Sequence, residues 1–163
     1  MSQPGFFDAE RRYEALDAAG DPLVALHRAV AWERFRPQLL SALHAAGARV
    51  SPALRKSAAG CKPWDEVLMF KVLILQHLYN LADDRVEYMI RDRLSFMRFL
   101  GLGLHDKVPD AKTVWAFREA LTKSNAATAL FETFSEQLQA LGYAARGGQI
   151  IDATIVPVPV NRN

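Results

Sequence analysis

The hydrophobic pattern of the chain centres on residues 63–81, PWDEVLMFKVLILQHLYNL, in which Lys71 alone interrupts the apolar run from Val67 to Leu75. A continuous apolar run suits a buried strand or a buried helix, and length separates the two. Because this run lies within a long segment without glycine or internal proline, it predicts one central helix that is buried on most sides. Its polar members are expected to find water or partners at the margins: Lys71, Gln76 and His77.

The start of this helix carries two N-terminal signals. Pro63 occupies a position typical of a first-turn proline. Asp65 and Glu66 follow it, where carboxylates complement the positive end of a helix dipole. We therefore predict that the central helix begins close to Pro63.

Shorter amphipathic segments precede the central helix. The first covers residues 6–19, and Asp21 with Pro22 then supplies an N-cap and a first-turn proline for a second helix. Pro37 divides this region and begins a third helix, which runs to Gly47.

A polar, glycine-interrupted connection over residues 47–62 joins these helices to the central one. It contains four basic residues: Arg49, Arg55, Lys56 and Lys62. A solvated loop is the favoured interpretation, and an arm that contacts phosphates is the alternative.

Four helices are predicted after the central one, over residues 84–93, 95–100, 111–121 and 125–141. Asp110 is placed to cap the third of them. Their inward-facing residues follow a helical period: Val86, Met89, Ile90, Val114, Phe117, Leu121, Leu130, Phe131, Phe134 and Leu138.

The pattern changes after Gly147 and Gly148. Residues 149–156, QIIDATIV, are rich in β-branched side chains and have the length of a strand. A lone strand is not stable by itself, so it must pair with the helical body or with a sheet. The predicted fold class is mainly α, a multi-helix bundle followed by one β-strand.

Composition narrows the possible functions. The chain has 163 residues, half of them hydrophobic, and a net charge of +2. Residues 51–123 hold twelve basic and nine acidic residues, so a polyanionic partner is expected there. The lone Cys61 excludes a disulfide framework and leaves too few ligands for a closed zinc site. No run approaches the ~20 apolar residues of a membrane span, so we predict a cytoplasmic protein without a membrane partner.

Three motifs occur in order along residues 63–163: PWDEVLMFKVLILQHLYNLADDRVEYMIRDRLSFMRFLGL, VPDAKTVWAFREAL and IIDATIVPVPVNRN. This succession resembles the N-terminal part of bacterial insertion-sequence transposases of the DDE type, the InsH-like group. The segment near Asp21 fits the opening of that family more loosely. The resemblance implies a helical DNA-binding region followed by an RNase H-like catalytic domain. It also implies that the partner is double-stranded DNA, at the terminal inverted repeats of a transposon.

In such transposases three carboxylates hold divalent metal ions, usually Mg²⁺, and the resemblance places the first carboxylate at Asp152. Paired metal ions steady the attacking and leaving oxygens of phosphodiester cleavage, and carboxylates are their preferred ligands. Without the resemblance, an outward-pointing strand residue is the favoured interpretation of Asp152. Asp152 is also the last acid in the sequence. Because one carboxylate cannot hold a metal pair, we expect this chain alone to be inactive and to bind no ion stably.

The expected domains are residues 1–62, N-terminal helices and a basic linker; 63–145, an InsH-like DNA-binding domain; and 146–163, the first strand of a truncated RNase H-like domain. The leading hypothesis is a DNA-binding transposase fragment that recognises transposon ends but lacks the complete catalytic set. The alternative is a dimerisation module that regulates an intact transposase, with residues 125–141 and 149–156 as contact surfaces. A second copy, or the remaining transposase portion, is then a further partner.

The helices over residues 84–93, 95–100 and 111–121 suit a helix-turn-helix-like arrangement, although the connection GLGLHDKVPD is long for one. The basic residues expected to contact phosphates or bases are Arg85, Arg91, Arg93, Arg98, Lys112 and Arg118. A solvated or ion-paired side chain is the competing interpretation, and Arg91 has Glu87 at helical spacing.

The aromatic residues admit two interpretations as well. Trp115 suits stacking on a base or insertion into a groove, but a tryptophan on a helix is more often part of the core. We therefore favour core positions for Trp115 and for Trp32, Trp64, Tyr79 and Tyr88.

Overall fold

A computed structural model describes residues 8–48 and 63–143, and the regular elements of these two ranges are helical. They are α1 Asp8–Ala18, α2 Pro22–Ala29, a 3₁₀ helix Trp32–Phe35, α3 Arg36–Ala45, α4 Glu66–Tyr79, α5 Asp83–Asp92, α6 Leu94–Leu100, α7 Ala111–Lys123 and α8 Ala127–Ala140. The mainly α prediction is confirmed for these ranges. The predicted strand 149–156 lies outside the described residues.

Helix α4 is the centre of the fold. Eleven of its fourteen residues are buried, and it packs against α3, α5, α6 and α7. The ring centroid of Phe70 lies 4.9 Å from that of Phe35 and 5.8 Å from that of Phe131. The same helix therefore contacts both the N-terminal elements and α8, and the prediction of a central buried helix is confirmed.

One cluster of buried apolar residues runs from α2 to α8. It includes Leu23 and Leu39 on one side of the linker and Phe70, Ile90 and Phe134 on the other. The N-terminal helices are therefore packed into the same core as α4. The boundaries proposed at residues 62 and 145 stay predictions.

Helix α4 begins after Pro63, the residue that was predicted to lie in its first turn. Asp65 is the N-cap, with extended backbone, and its carboxylate accepts a hydrogen bond of 2.9 Å from the Leu68 amide. Because this cap satisfies an amide of the first turn, the helix begins at Glu66. Pro63 precedes the helix, so the first-turn assignment of Pro63 was wrong. The helix ends at Asn80, which adopts a left-handed conformation with φ of 48°.

The caps predicted for the shorter helices are confirmed. The Asp21 carboxylate accepts from the Leu23 amide at 3.0 Å, and Pro22 lies in the first turn of α2. Pro37 lies in the first turn of α3. Asp110 accepts from the Thr113 amide at 2.7 Å and begins α7.

Arg36 joins the start of α3 to the start of α4. Its Nη1 lies 2.7 Å from Asp65 Oδ2 and 3.0 Å from Glu66 Oε2, and its Nε lies 2.7 Å from Glu33 Oε2. The Glu66 side chain is only 1% exposed. This cluster fixes the two helices on either side of residues 49–62, which lie outside the described residues together with the four basic side chains predicted there.

Candidate nucleic-acid interface

Helices α5 and α7 lie side by side and run in opposite directions. Arg118 of α7 binds Asp83 at the start of α5, with Nη1–Oδ1 and Nη2–Oδ2 distances of 2.7 and 2.6 Å. Further along α5, Glu87 Oε2 accepts a hydrogen bond of 3.2 Å from the amide of Ala111, the first residue of α7. The two helices are thus fixed to each other at two points.

Arg118 was expected to be available on the polar side of α7, and the structure corrects this. Asp83 takes both of its terminal nitrogens and also accepts from Gln76 Nε2 of α4 at 2.7 Å. The hydrogen bonds from Arg118 hold the pKa of the Asp83 carboxyl below its usual value. A contact between Arg118 and DNA stays a prediction, but it would have to share or break this pair.

Arg98 is also engaged within the fold. Its guanidinium lies 2.8 Å from Asp17 Oδ1 and 2.7 Å from Asp21 Oδ2, and it covers the ring of Tyr13. Since Asp21 is the N-cap of α2, Arg98 holds α6 against both N-terminal helices. This position is far along the sequence from its partners, so helical spacing did not reveal it.

The remaining predicted cations keep more of their surface in solvent. Arg91 binds Glu87 at 3.0 Å, as its spacing indicated, yet its side chain is 60% exposed. Arg85, Arg93 and Lys112 are exposed and make no salt bridge among the residues the structure describes, although Lys112 interacts electrostatically with the Asp110 carboxylate. Arg93 lies at the junction of α5 and α6, with its guanidinium 5.3 Å from the ring centroid of Phe96.

Two aromatic residues contradict the core interpretation. Tyr88 is 54% exposed and Trp115 is 50% exposed, whereas Trp32 is buried as expected. Helix α7 buries Val114, Phe117, Ala120 and Leu121 instead. Trp115 falls outside that stripe because one residue turns a helix by about 100°. Trp64 and Tyr79 are partly buried against the core.

We use the name α5–α7 face for the exposed residues Arg85, Tyr88 and Arg91 of α5 together with Lys112 and Trp115 of α7. The guanidinium of Arg85 lies 5.0 Å from the ring centroid of Tyr88. Acidic residues accompany these cations: Asp84 precedes Arg85, Glu87 pairs with Arg91, and the Asp110 carboxylate interacts with Lys112, so the charge of the face is mixed. Such a surface can offer phosphate contacts and flat apolar rings together.

Sequence reasoning missed a contact between Lys71 and His27, which is partly buried because His27 is itself exposed. Lys71 is only 8% exposed, and its side chain extends to the exposed His27 at the margin of the core, where a partner was predicted. Its Nζ lies 3.4 Å from His27 Nδ1, 3.4 Å from the Phe99 carbonyl oxygen and 5.2 Å from the ring centroid of Trp32. Burial lowers the pKa of Lys71, and burial together with Lys71 lowers that of His27. The only available signal was a single charge inside an apolar run.

The predicted metal ligand Asp152 lies outside the described residues, so its role stays a prediction. Within residues 8–48 and 63–143, no group of three or more histidine, cysteine or acidic side chains is arranged to hold a metal ion. None of the helices in those ranges combines the length and the apolar character of a membrane span.

Comparison with known proteins gives one family. A model of the family described as "Transposase domain (DUF772)" matches residues 10–120, which include α2 to α6 and most of α7. No solved structure matches the chain.

Proposed function

The chain belongs to the transposase-domain family DUF772, and from this we propose that it is the DNA-binding part of an InsH-like DDE transposase that recognises transposon ends. The family supports a role in transposition. The observation that supports the DNA-binding proposal is the set of exposed cations on the α5–α7 face. Arg85 of α5 and Lys112 of α7 are exposed there and make no salt bridge with another described residue.

Only some of the basic residues can neutralise a DNA phosphate without losing a salt bridge within the fold. A cation that neutralises a phosphate releases a counterion, and this release makes affinity fall with salt. Arg85 and Lys112 can do so without losing an internal ion pair, and Arg91 need only give up an exposed one. Arg98 and Arg118 bind carboxylates that cap or join helices, so we assign them to holding the fold.

We further propose that these 163 residues by themselves do not cut or join DNA. Asp152 would supply the first carboxylate for Mg²⁺ in an InsH-like catalytic domain, and no acid follows it in the sequence. Purified protein with Mg²⁺ should show no nicking of a supercoiled plasmid above background, and Asp152→Asn should leave that result unchanged. Nicking that depends on Asp152 would overturn this part of the proposal.

Fluorescence anisotropy with a labelled DNA duplex tests the binding proposal. The R85A/K112A variant should bind more weakly than the native protein, and its plot of log affinity against log salt should be shallower by about 0.9 for each phosphate that is no longer neutralised. R34A is the matched control, because Arg34 is exposed on the 3₁₀ helix, away from α5 and α7. Equal reductions in affinity for R34A and for R85A/K112A would reject the assignment to this face. Selection from a random duplex library should enrich one sequence if transposon ends are recognised.

A regulatory dimerisation module is the second candidate, and helix α8 carries the observation that favours it. Leu141 after α8 is exposed, and Phe131 borders a shallow groove on the outer side of α8 between Ala127 and Gln139. Light scattering separates the candidates. A dimerisation module should show twice the chain mass, dissociate in a Leu141→Glu variant and bind no DNA at any salt concentration.

A further inference from the structure

We propose that the contact between His27 and Lys71 is a pH-sensitive switch, which holds the last turn of α2 against its neighbours while His27 is neutral and releases that turn when His27 is protonated. This inference is independent of the proposed DNA-binding function, because it concerns the packing of the N-terminal helices. It rests on the contacts that meet at His27 and on the burial of Lys71.

His27 lies in the last turn of α2, where it contacts three other elements. Its Nδ1 lies 3.4 Å from Nζ of Lys71 on α4. Its ring meets the ring of Phe99 on α6 edge-on, with the centroids 6.0 Å apart. Its carbonyl oxygen accepts a hydrogen bond of 3.1 Å from Nε1 of Trp32 on the 3₁₀ helix. A displacement of His27 therefore changes the packing of α2 against all three elements.

Lys71 depends on His27 because few other polar groups reach its ammonium. The residue is 8% exposed and makes no salt bridge within residues 8–48 and 63–143. Its Nζ has one other polar contact, the Phe99 carbonyl oxygen at 3.4 Å, and lies 5.2 Å from the ring centroid of Trp32. Both polar contacts exceed the ~2.7–3.2 Å of an ordinary N–H···O bond. Loss of the His27 contact therefore leaves a buried donor poorly satisfied, which is costly.

Protonation of His27 changes this contact from attraction to repulsion. A neutral imidazole with its proton on Nε2 accepts a hydrogen bond from the Lys71 ammonium through Nδ1. A protonated imidazole has only donors and places a second positive charge at the same short distance. Because His27 is exposed, its ring can turn into water, whereas the buried Lys71 cannot follow it.

The other charged groups beside His27 do not cancel this repulsion. Three of them line the same pocket between α1, α2 and α6: Asp17, Arg28 and Arg98. Asp17 is the one acid that lines this pocket in the part of the chain that the structure describes, and its Oδ1 lies 2.8 Å from Nη1 of Arg98. The C-terminal end of the α2 dipole favours a protonated His27, but Arg28 in the same turn opposes it.

The acids that act on Lys71 have another partner. Glu33 of the 3₁₀ helix and Asp65 at the start of α4 attract the Lys71 ammonium, yet both carboxylates lie 2.7 Å from Arg36 nitrogens. Lys71 is therefore not neutralised by direct contact with a carboxylate, and its charge acts on His27.

The pH range of the switch follows from the protonation of His27 in its two states. Burial and then the Lys71 charge lower the pKa of His27 below its usual value of 6.5, and the Phe99 carbonyl oxygen opposes them. Between this lowered pKa and 6.5, the released turn binds more protons than the packed one. The contact therefore stabilises fully above about pH 6.5, and this stabilisation decreases as the pH falls toward the lowered pKa. Because one proton is involved, release increases by at most about tenfold per pH unit.

Amide hydrogen exchange of the native protein, read by mass spectrometry and corrected for the intrinsic effect of pH, tests the switch. Peptides from α2 should exchange faster at about pH 5.5 than at pH 7.5, by up to roughly tenfold, while peptides from α7 should not change. H27Q should abolish this pH response, because glutamine offers Lys71 a polar group that does not titrate. H105Q is the matched control and should retain the response, since His105 is exposed in the connection between α6 and α7.

Nuclear magnetic resonance of the histidine ring protons gives a second measurement. His27 should titrate below pH 6.5 in the native protein and closer to 6.5 in K71M, which removes the neighbouring charge. Titration of native His27 at or above 6.5 would overturn the proposal, and so would an equal pH response of α2 in native protein and H27Q. If His27 titrates low but exchange in α2 does not respond to pH, only the ring moves and the proposed release of the turn is wrong.

Discussion

Arg118 and Asp83 meet through two parallel hydrogen bonds of 2.7 and 2.6 Å, although 35 residues separate them in the sequence. The pair joins α7 to α5, and Gln76 connects the same carboxylate to the buried helix α4. The α5–α7 face therefore depends on an interaction between the side chains beneath it. Arg118 therefore joins the two helices that carry the other predicted contacts, and its own contact with DNA stays a prediction.

Replacing Asp83 tests this pair through its pH dependence. D83N should lower the free energy of unfolding at pH 7 by about 1 kcal/mol, a value kept small because Arg118 is half-exposed. Since the folded pKa of Asp83 is lowered from 3.8, the native pair stabilises fully above that value, and this stabilisation disappears as pH falls through the folded pKa. The stability gap between native protein and D83N should therefore narrow below about pH 4.

Urea unfolding at a series of pH values measures this gap. D92N is the matched control, because Asp92 is exposed at the end of α5. A gap that stays constant from pH 7 to the acid range would show that the Asp83 carboxylate is not the group responsible.

Arg36 should be important for stability, because it neutralises the buried Glu66 carboxylate. R36A should cost about 3 kcal/mol, the low end of the range found when one partner of a buried ion pair is removed, because the Arg36 side chain is 31% exposed. E33A should cost below about 1 kcal/mol, since the Glu33 side chain is 74% exposed. Thermal or urea unfolding measures both, and equal costs for R36A and E33A would contradict the central role of the Arg36–Glu66 contact.

Lys71 should make stability increase with pH. Burial lowers its folded pKa below 10.5, so the unfolded chain binds more protons between the two values, and the free energy of unfolding rises with pH there. K71M should flatten this rise while keeping the volume of the side chain. K107M should not, because Lys107 is exposed. The measurement is urea unfolding from pH 7 up to the unfolded value of 10.5, and K107M, which keeps every tyrosine, corrects for tyrosine ionisation. If the free energy of unfolding of K71M still rises with pH, another titrating group is responsible for the rise.

Gly101 ends α6 in a left-handed conformation with φ of 75°. A Cβ there would meet no atom within 4 Å, so the cost of G101A comes from the backbone conformation alone. We expect a decrease in stability of about 1 kcal/mol. G103A is the control, because Gly103 is outside the left-handed region and its Cβ would make an ordinary 3.4 Å contact with Asp106. Equal decreases for the two variants would remove the conformational explanation.

The hydrophobic pattern of the sequence was sufficient to predict the described helices and most of their inward residues. The period of Val86, Met89 and Ile90 marks the buried stripe of α5, and the apolar run identifies α4. Asp21, with Pro22 after it, and Asp110 mark helix starts. These signals are local, because a helix turns once in about 3.6 residues and a cap reaches three residues along the chain. A relation to transposases was recognisable in the same way, from ordered motifs, and the match over residues 10–120 confirms it at that level, while the InsH-like group stays a prediction.

Only the tertiary structure showed which basic side chains of the candidate interface form salt bridges within the fold and which do not. Arg98 and Arg118 have the same appearance in the sequence as Arg85, but packing of distant helices brings carboxylates to them. Tryptophan is a residue type common in protein cores, yet the helices that cover the neighbours of Trp115 on α7 leave it half-exposed. Ion pairing and burial depend on contacts between residues that are far apart in the sequence. The hydrophobic period within one helix does not predict such contacts.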